Sequence, residues 1–132
     1  MSREQGSAAV LLLAVAGLMV ILAVGVADVG IAFAGRLQAA AAADAAALAA
    51  APVTFRPFGA AGSPAEEARR FAGANGARLV VCRCSIDRSW QPRVAEVVVE
   101  RRVELLGIGS ITVRASSRAE FSPAALITPP ET

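Results

Sequence analysis

The chain has 132 residues, 55% hydrophobic and 18% charged, with 13 basic against 11 acidic side chains. That length holds one small core plus one long element, and the apolar excess excludes disorder of the whole chain. His, Lys and Tyr are absent, so no Ser-His-Asp or Cys-His device and no His-based metal site can be built. No cofactor is implied and nothing points to an enzyme. A net charge of +2 without an aromatic-rich basic face gives no sign of a nucleic-acid partner.

Residues 1–6 form a short leader, followed by 21 uncharged positions from Ser7 to Ala27. As a helix this run spans roughly 31 Å, the thickness of a bilayer's hydrocarbon core. Only a helix satisfies its own backbone in lipid, so a transmembrane helix is predicted over about 7–27. From Gly30 to Ala51 the text is nearly pure alanine with Leu37, Gln38 and Leu48, which continues the helix. Pro52 supplies the stop. One helix over 7–51 is therefore expected, roughly 68 Å long.

Two alternatives compete with a retained anchor. A secretory signal cut at Ala32-Phe33-Ala34 would release the remainder, but the apolar run is longer than the usual signal. A buried helix of a soluble protein would need more chain to wrap it than follows Ala51. Arg3 before the run, and Asp28 then Arg36 after it, favour the N-terminus inside and the C-terminal domain outside the cell membrane.

The opening REQGSAAVLLL resembles the leader of type IV-like prepilins, cut after a glycine just before the apolar run. Ala27 to Ala51 resembles the signature of the TadE/TadG-like family, minor pilins or pseudopilins of the tight-adherence (Flp) pilus machinery. The matching residues are Gly6, Asp28-Val29-Gly30, Arg36-Leu37-Gln38 and the run from Ala42 to Ala50. The size and missing Lys suit the short TadE-like proteins of actinobacteria. This resemblance implies cleavage between Gly6 and Ser7. It also implies a pilin-like fold and partners among the Tad pilus or secretion components: pilins, polytopic membrane proteins and a prepilin peptidase. Counting from Ser7, the fifth position is Leu11, where the family usually carries Glu; TadG-like members often lack it.

Two acids lie on the long helix. Asp28 ends the apolar run, either as a solvated acid at the headgroups or as a contact with a partner helix. Asp44 shares a face with Leu37, Ala41 and Leu48. If the C-terminal domain covers that face, Asp44 needs an Arg or a backbone N–H; otherwise it is solvated.

Residues 52–62 read as a linker. Ser63-Pro64-Ala65-Glu66 is a capping box that starts a short helix, ending at Asn75-Gly76. Leu79 to Ile86 reads as a strand with Val80, Cys82, Cys84 and Ile86 on one face. Val94 to Leu105 and Ser110 to Phe121 alternate likewise, with Arg101 on the apolar side near a frayed end and Gly107 and Gly109 at the turn. A three-stranded antiparallel sheet follows, lidded by the short helix and the alanine-rich half of the long one. The domain spans 63–121, and the tail over 122–132 is expected to fray. The fold class is thus α+β, membrane-anchored and pilin-like.

Cys82 and Cys84 are the chain's two cysteines. They read first as small apolar residues, then as a local disulfide across an extended pair at its outer distance limit, then as a bridge to another molecule. Trp90 reads as a lid over the sheet edge or as a membrane-interface anchor. The expected role is non-enzymatic: a membrane-anchored Tad/Flp component acting by packing, with homo- or hetero-oligomers formed through the long helix. The alternative is a membrane-anchored extracytoplasmic binding or sensor subunit unrelated to pili.

Overall fold

The computed structural model describes residues 2–55 and 62–127, the first four of them by their backbone alone. Ser2–Val53 is one α-helix, α1, of 52 residues and about 78 Å. Pro52 sits inside its last turn, so the helix runs two residues past the expected stop. The ring removes the N–H that the Leu48 carbonyl would otherwise accept, a loss of one bond that a final turn tolerates because no further turn depends on it. Thr54 closes the end: its N–H and hydroxyl both donate to the Ala51 carbonyl, at 3.3 and 2.6 Å. Residues 56–61 of the expected linker lie outside the described residues.

Helix α2 covers Pro64–Ala74 and has the capping box read from the sequence. The Glu66 backbone N–H donates to Ser63 Oγ at 3.2 Å, and the Ser63 N–H donates to the Glu66 carboxylate at 2.6 Å. That second bond, with the Ser63 side chain, holds the Glu66 carboxyl below its ordinary pKa. Gly76, at φ +70°, turns the chain out of the helix.

Strands β1 (Arg78–Arg83), β2 (Arg93–Glu104) and β3 (Ser110–Phe121) form an antiparallel sheet in the order β1-β2-β3. β3 has its expected bounds and β2 is shifted by one residue. β1 differs more. It stops at Arg83 rather than Ile86, and its register shifts between Leu79 and Val81. The extra residue of this bulge leaves both Val80 and Val81 exposed and turns Leu79, with Cys82 and Cys84, toward the core. Val80 and Ile86 therefore do not share the buried face assigned to them.

The outer face of the sheet is tied by two arginine–glutamate ladders across all three strands. Glu100 on β2 pairs with Arg78 on β1 and, at 3.4 Å, with Arg114 on β3. Glu96 pairs with Arg83 at 3.4 Å and Arg118 at 3.5 Å. Each exposed pair contributes little on its own, but a slip of one residue would put every partner on the wrong face. The Arg78 guanidinium, bonded to Glu100, holds that carboxyl below its ordinary pKa.

The core lies between the sheet and α1. Ala39, Ala42, Ala43, Ala46, Ala47 and Ala50 are buried along one stripe of the helix. Facing them are Ala95, Val97, Val99 and Val103 of β2, with Val113 and Ala119 of β3. Ala68 and Ala72 of α2 complete the larger cluster. Side chains this small let sheet and helix approach closely.

This arrangement corrects the face proposed for Asp44. Leu37 and Leu48 are 58% and 67% exposed, and Ala41 and Asp44 are exposed with them. The sheet chose the alanine stripe because large residues would have held it off the helix; covering the leucine stripe would also have buried a carboxylate. Arg101 is corrected too. It pairs with Val113 well inside the β2–β3 ladder, and its guanidinium donates to the carbonyls of Asn75 and Gly76 at 3.2 and 2.9 Å. A cation thus caps the C-terminal end of α2. The tail also begins later than expected: Pro123–Leu126 form a 3-10 turn with Pro123 buried, while 128–132 lie outside the described residues.

Candidate membrane anchor and packing surfaces

Every residue from Gly6 to Ala23 is exposed. Leu11, Leu12, Leu13 and Ile21 lie along a bare rod on which no described element packs. A continuous apolar surface of this length is insoluble unless lipid or another apolar surface covers it, and its backbone is already satisfied as a helix. Among the described residues, α1 is the one helix long and apolar enough to cross a membrane. Gly6 and Ser7 are both exposed near its start.

Contacts begin where the apolar run ends. The Asp28 carboxylate accepts two backbone N–H bonds, from Leu106 at 2.6 Å and from Gly107 at 3.0 Å. Both donors belong to the β2–β3 turn, which is closed by Leu105 N–H to the Gly109 carbonyl at 2.6 Å. Asp28 is therefore a latch between α1 and the hairpin tip. Gly107 allows it: a Cβ there would come within 2.9 Å of the Asp28 carboxylate and 3.0 Å of Val24 Cγ1. Periodicity could not reveal a bond between residues so distant in sequence. The available signal was an acid ending an apolar run, together with a glycine-bearing turn rich in unpaired N–H groups.

Two turns further along, β2 crosses α1 at Gly35, which is buried. A Cβ at this position would overlap Val103 Cγ2 and lie 3.2 Å from Cγ1. Beside the crossing, a groove runs between Val29, Ala32, Phe33 and Arg36 of α1 and Ile111 to Arg114 of β3. On the opposite side, Leu37, Ala41, Asp44 and Leu48 form the exposed stripe already described.

The far end is closed by aromatics. Phe55, almost fully buried, meets Trp90 edge-to-face at 5.0 Å and Phe121 at 6.3 Å. The Arg93 guanidinium lies over the Phe55 ring at 5.3 Å. It also donates to the Asp87, Ser89 and Gln91 carbonyls and so orders the β1–β2 loop. The Ser89 N–H and hydroxyl both donate to Asp87, holding its carboxyl below the ordinary pKa. Trp90 is thus a lid beside the C-terminal end of α1. About 38 Å of helix separates Asp28 from this end of α1.

Cys82 and Cys84 are joined by a disulfide, with Cα atoms 5.4 Å apart. An extended pair would be roughly 6.6–6.8 Å apart. The chain contracts because β1 ends at Arg83, which leaves Cys84 free to pucker toward Cys82. The first reading of the pair, as two unbonded apolar residues, is corrected accordingly.

Residues 6–53, nearly the whole of α1, match the family described as putative Flp pilus-assembly TadE/G-like, the family that the same helix resembles in sequence. No curated protein and no solved structure matches the chain. The family match points to a component associated with a Tad pilus, and the long apolar helix to single-pass membrane anchoring.

Proposed function

We propose that the protein is a non-enzymatic, membrane-anchored component of a Tad/Flp-type pilus or secretion apparatus, a TadE-like minor pilin or assembly factor. One observation carries this reading: a single helix, bare over its first half and packed against a small sheet over its second, coincides with the family match. The bare half sits in lipid and the sheet outside the cell, with the N-terminus in the cytoplasm. The alanine stripe is consumed by the chain's own sheet. The stripe through Leu37, Asp44 and Leu48 is left for a second helix, from another copy or from another Tad component, and Asp44 sets the polarity that the neighbour must match. Processing, where it occurs, falls between Gly6 and Ser7 and removes the leader.

The test is a photocrosslinking amino acid at Leu48 in cells with an active Tad system, beside a deletion strain. Loss of pili or secretion on deletion, with crosslinks from position 48 to Tad membrane components, is the expected result. Normal pili in the deletion strain, with no such crosslinks, would overturn the assignment.

A further inference from the structure

At the β2–β3 turn, two large aliphatic side chains stand in the open: Leu106 is 71% and Ile108 77% exposed. They belong to a segment from Leu105 to Val113 that carries no charge; Arg102 and Glu104 before it pair with each other at 2.9 Å, and Arg114 after it pairs with Glu100. The tip is not free to choose its depth. Asp28 holds it to α1 through two hydrogen bonds, and Gly107 lies against Val24, inside the uncharged run.

We infer that the β2–β3 tip is a second membrane contact, with Leu106 and Ile108 seated in the outer acyl–headgroup boundary beside the point where α1 leaves the bilayer. This inference rests on α1 spanning the membrane, since the helix sets the level of the tip. Lipid is the occupant favoured here because the exposed apolar surface is continuous with that of the anchor. Exposed Val29 on α1 carries apolar surface one residue past Asp28.

The polar groups fit such a setting. A turn normally brings unpaired N–H groups, which are costly at the edge of hydrocarbon. Here the N–H groups of Leu105, Leu106 and Gly107 are all bonded, the first to Gly109 and the others to Asp28. The same two bonds engage the Asp28 carboxylate, the acid that would otherwise face the interface unpaired. Apolar side chains point outward while two of the turn's donors and the helix's acid satisfy one another. A double attachment of this kind fixes the tilt of the sheet over the membrane, which a lone helix leaves free to swing.

The full-length chain in phosphatidylcholine vesicles provides the test, with bromines placed near the headgroup end or near the methyl end of the acyl chains. Single-tryptophan variants are built on Trp90→Phe: Ile108→Trp at the tip and Leu18→Trp within the anchor, beside the wild type with Trp90 alone. Ile108→Trp is expected to lose roughly half its emission to the shallow bromines and less to the deep ones, as suits a side chain at the headgroup boundary. Leu18→Trp should be quenched by the deep bromines, and Trp90 by neither. Quenching of Leu18→Trp without Ile108→Trp would overturn the tip contact while leaving the anchor intact; cover by a protein neighbour would give that result too. No quenching at either position would show that α1 itself is not in lipid, and both readings would fall. Strong quenching of Trp90 alongside Ile108→Trp would show a domain lying flat on the membrane, and would also overturn a contact made by the tip.

Discussion

Replacing Gly35 by Ala puts a methyl group where β2 crosses α1. The new Cβ would overlap Val103 Cγ2 and press on Cγ1 at 3.2 Å. Val103 has little room to yield. It is 7% exposed, packed with Ala39 and Val113, and paired with Ile111 in the ladder. A β-branched side chain in a strand has few alternative rotamers. Overpacking of this kind costs about 1–3 kcal/mol, while exchanging Gly for Ala inside a helix returns about 1 kcal/mol. The net expectation is a loss of about 1 kcal/mol, rising to about 2 if the strand cannot shift. The assay is guanidinium unfolding in detergent micelles, followed by the fluorescence of Trp90, which packs on Phe55. Val103→Ala alone should cost about 2 kcal/mol through lost burial and the space left behind. In the double variant the methyl introduced by Gly35→Ala occupies that space, so the two losses should fall short of additivity by at least about 1 kcal/mol, outside the ordinary scatter of independent sites. A Gly35→Ala protein as stable as wild type, or strict additivity in the double variant, would refute the close crossing.

Asp28→Ala should release the hairpin tip, so that the Leu106 and Gly107 amides exchange hydrogen faster while amides in the centre of β2 keep their protection. Asp28→Asn, with one acceptor oxygen in place of two, should give an intermediate result. Arg101→Ala should lower unfolding stability by about 1–2 kcal/mol, because the carbonyls of Asn75 and Gly76 lose a charged donor. Arg101→Lys should recover part of that loss, since an ammonium can reach one carbonyl but does not reproduce the guanidinium fork. Glu66, Asp87 and Glu100 are held below their ordinary values of 4.5, 3.8 and 4.5 in the folded chain. Depressed folded-state values give stability that is complete above the ordinary value and is lost as pH falls through the folded one. The melting temperature should therefore be level from neutral pH to about 5 and fall below about 4.5, and Glu100→Gln should flatten that fall.

Local features of the chain were legible wherever a short-range rule governed them. Ser63, Pro64, Glu66 and Gly76 spell the two ends of α2, and the alternation from Ser110 to Phe121 gives β3 its bounds. The long helix was readable from an uncharged run followed by alanines. What failed needed knowledge of the opposing surface. Leu37 and Leu48 look like the core stripe of α1 until the sheet is present; only then does closeness of approach favour the stripe without large residues. The bulge at Val80 shifts the face of β1 without leaving a Gly or Pro to announce it. Asp28 and Arg101 were placed by strand patterning alone or by the end of an apolar run, yet each is satisfied by backbone atoms far along the chain. Buried or half-buried charges are where pattern reading is weakest, because their partners are defined by the fold rather than by spacing.

Single spin labels along α1 in the vesicle-bound protein, read for collisions with oxygen and with a water-soluble nickel chelate, examine both halves of the helix at once. Labels from Ala8 to Ala23 should be open to oxygen on every face and closed to nickel. Labels at Leu37, Asp44 and Leu48 should be open to nickel, and those at Ala39 and Ala50, at the ends of the alanine stripe, closed to both. Nickel access throughout the first half would contradict a lipid-embedded rod, and protection at Leu37, Asp44 and Leu48 with access at Ala39 and Ala50 would contradict a sheet docked on the alanine face.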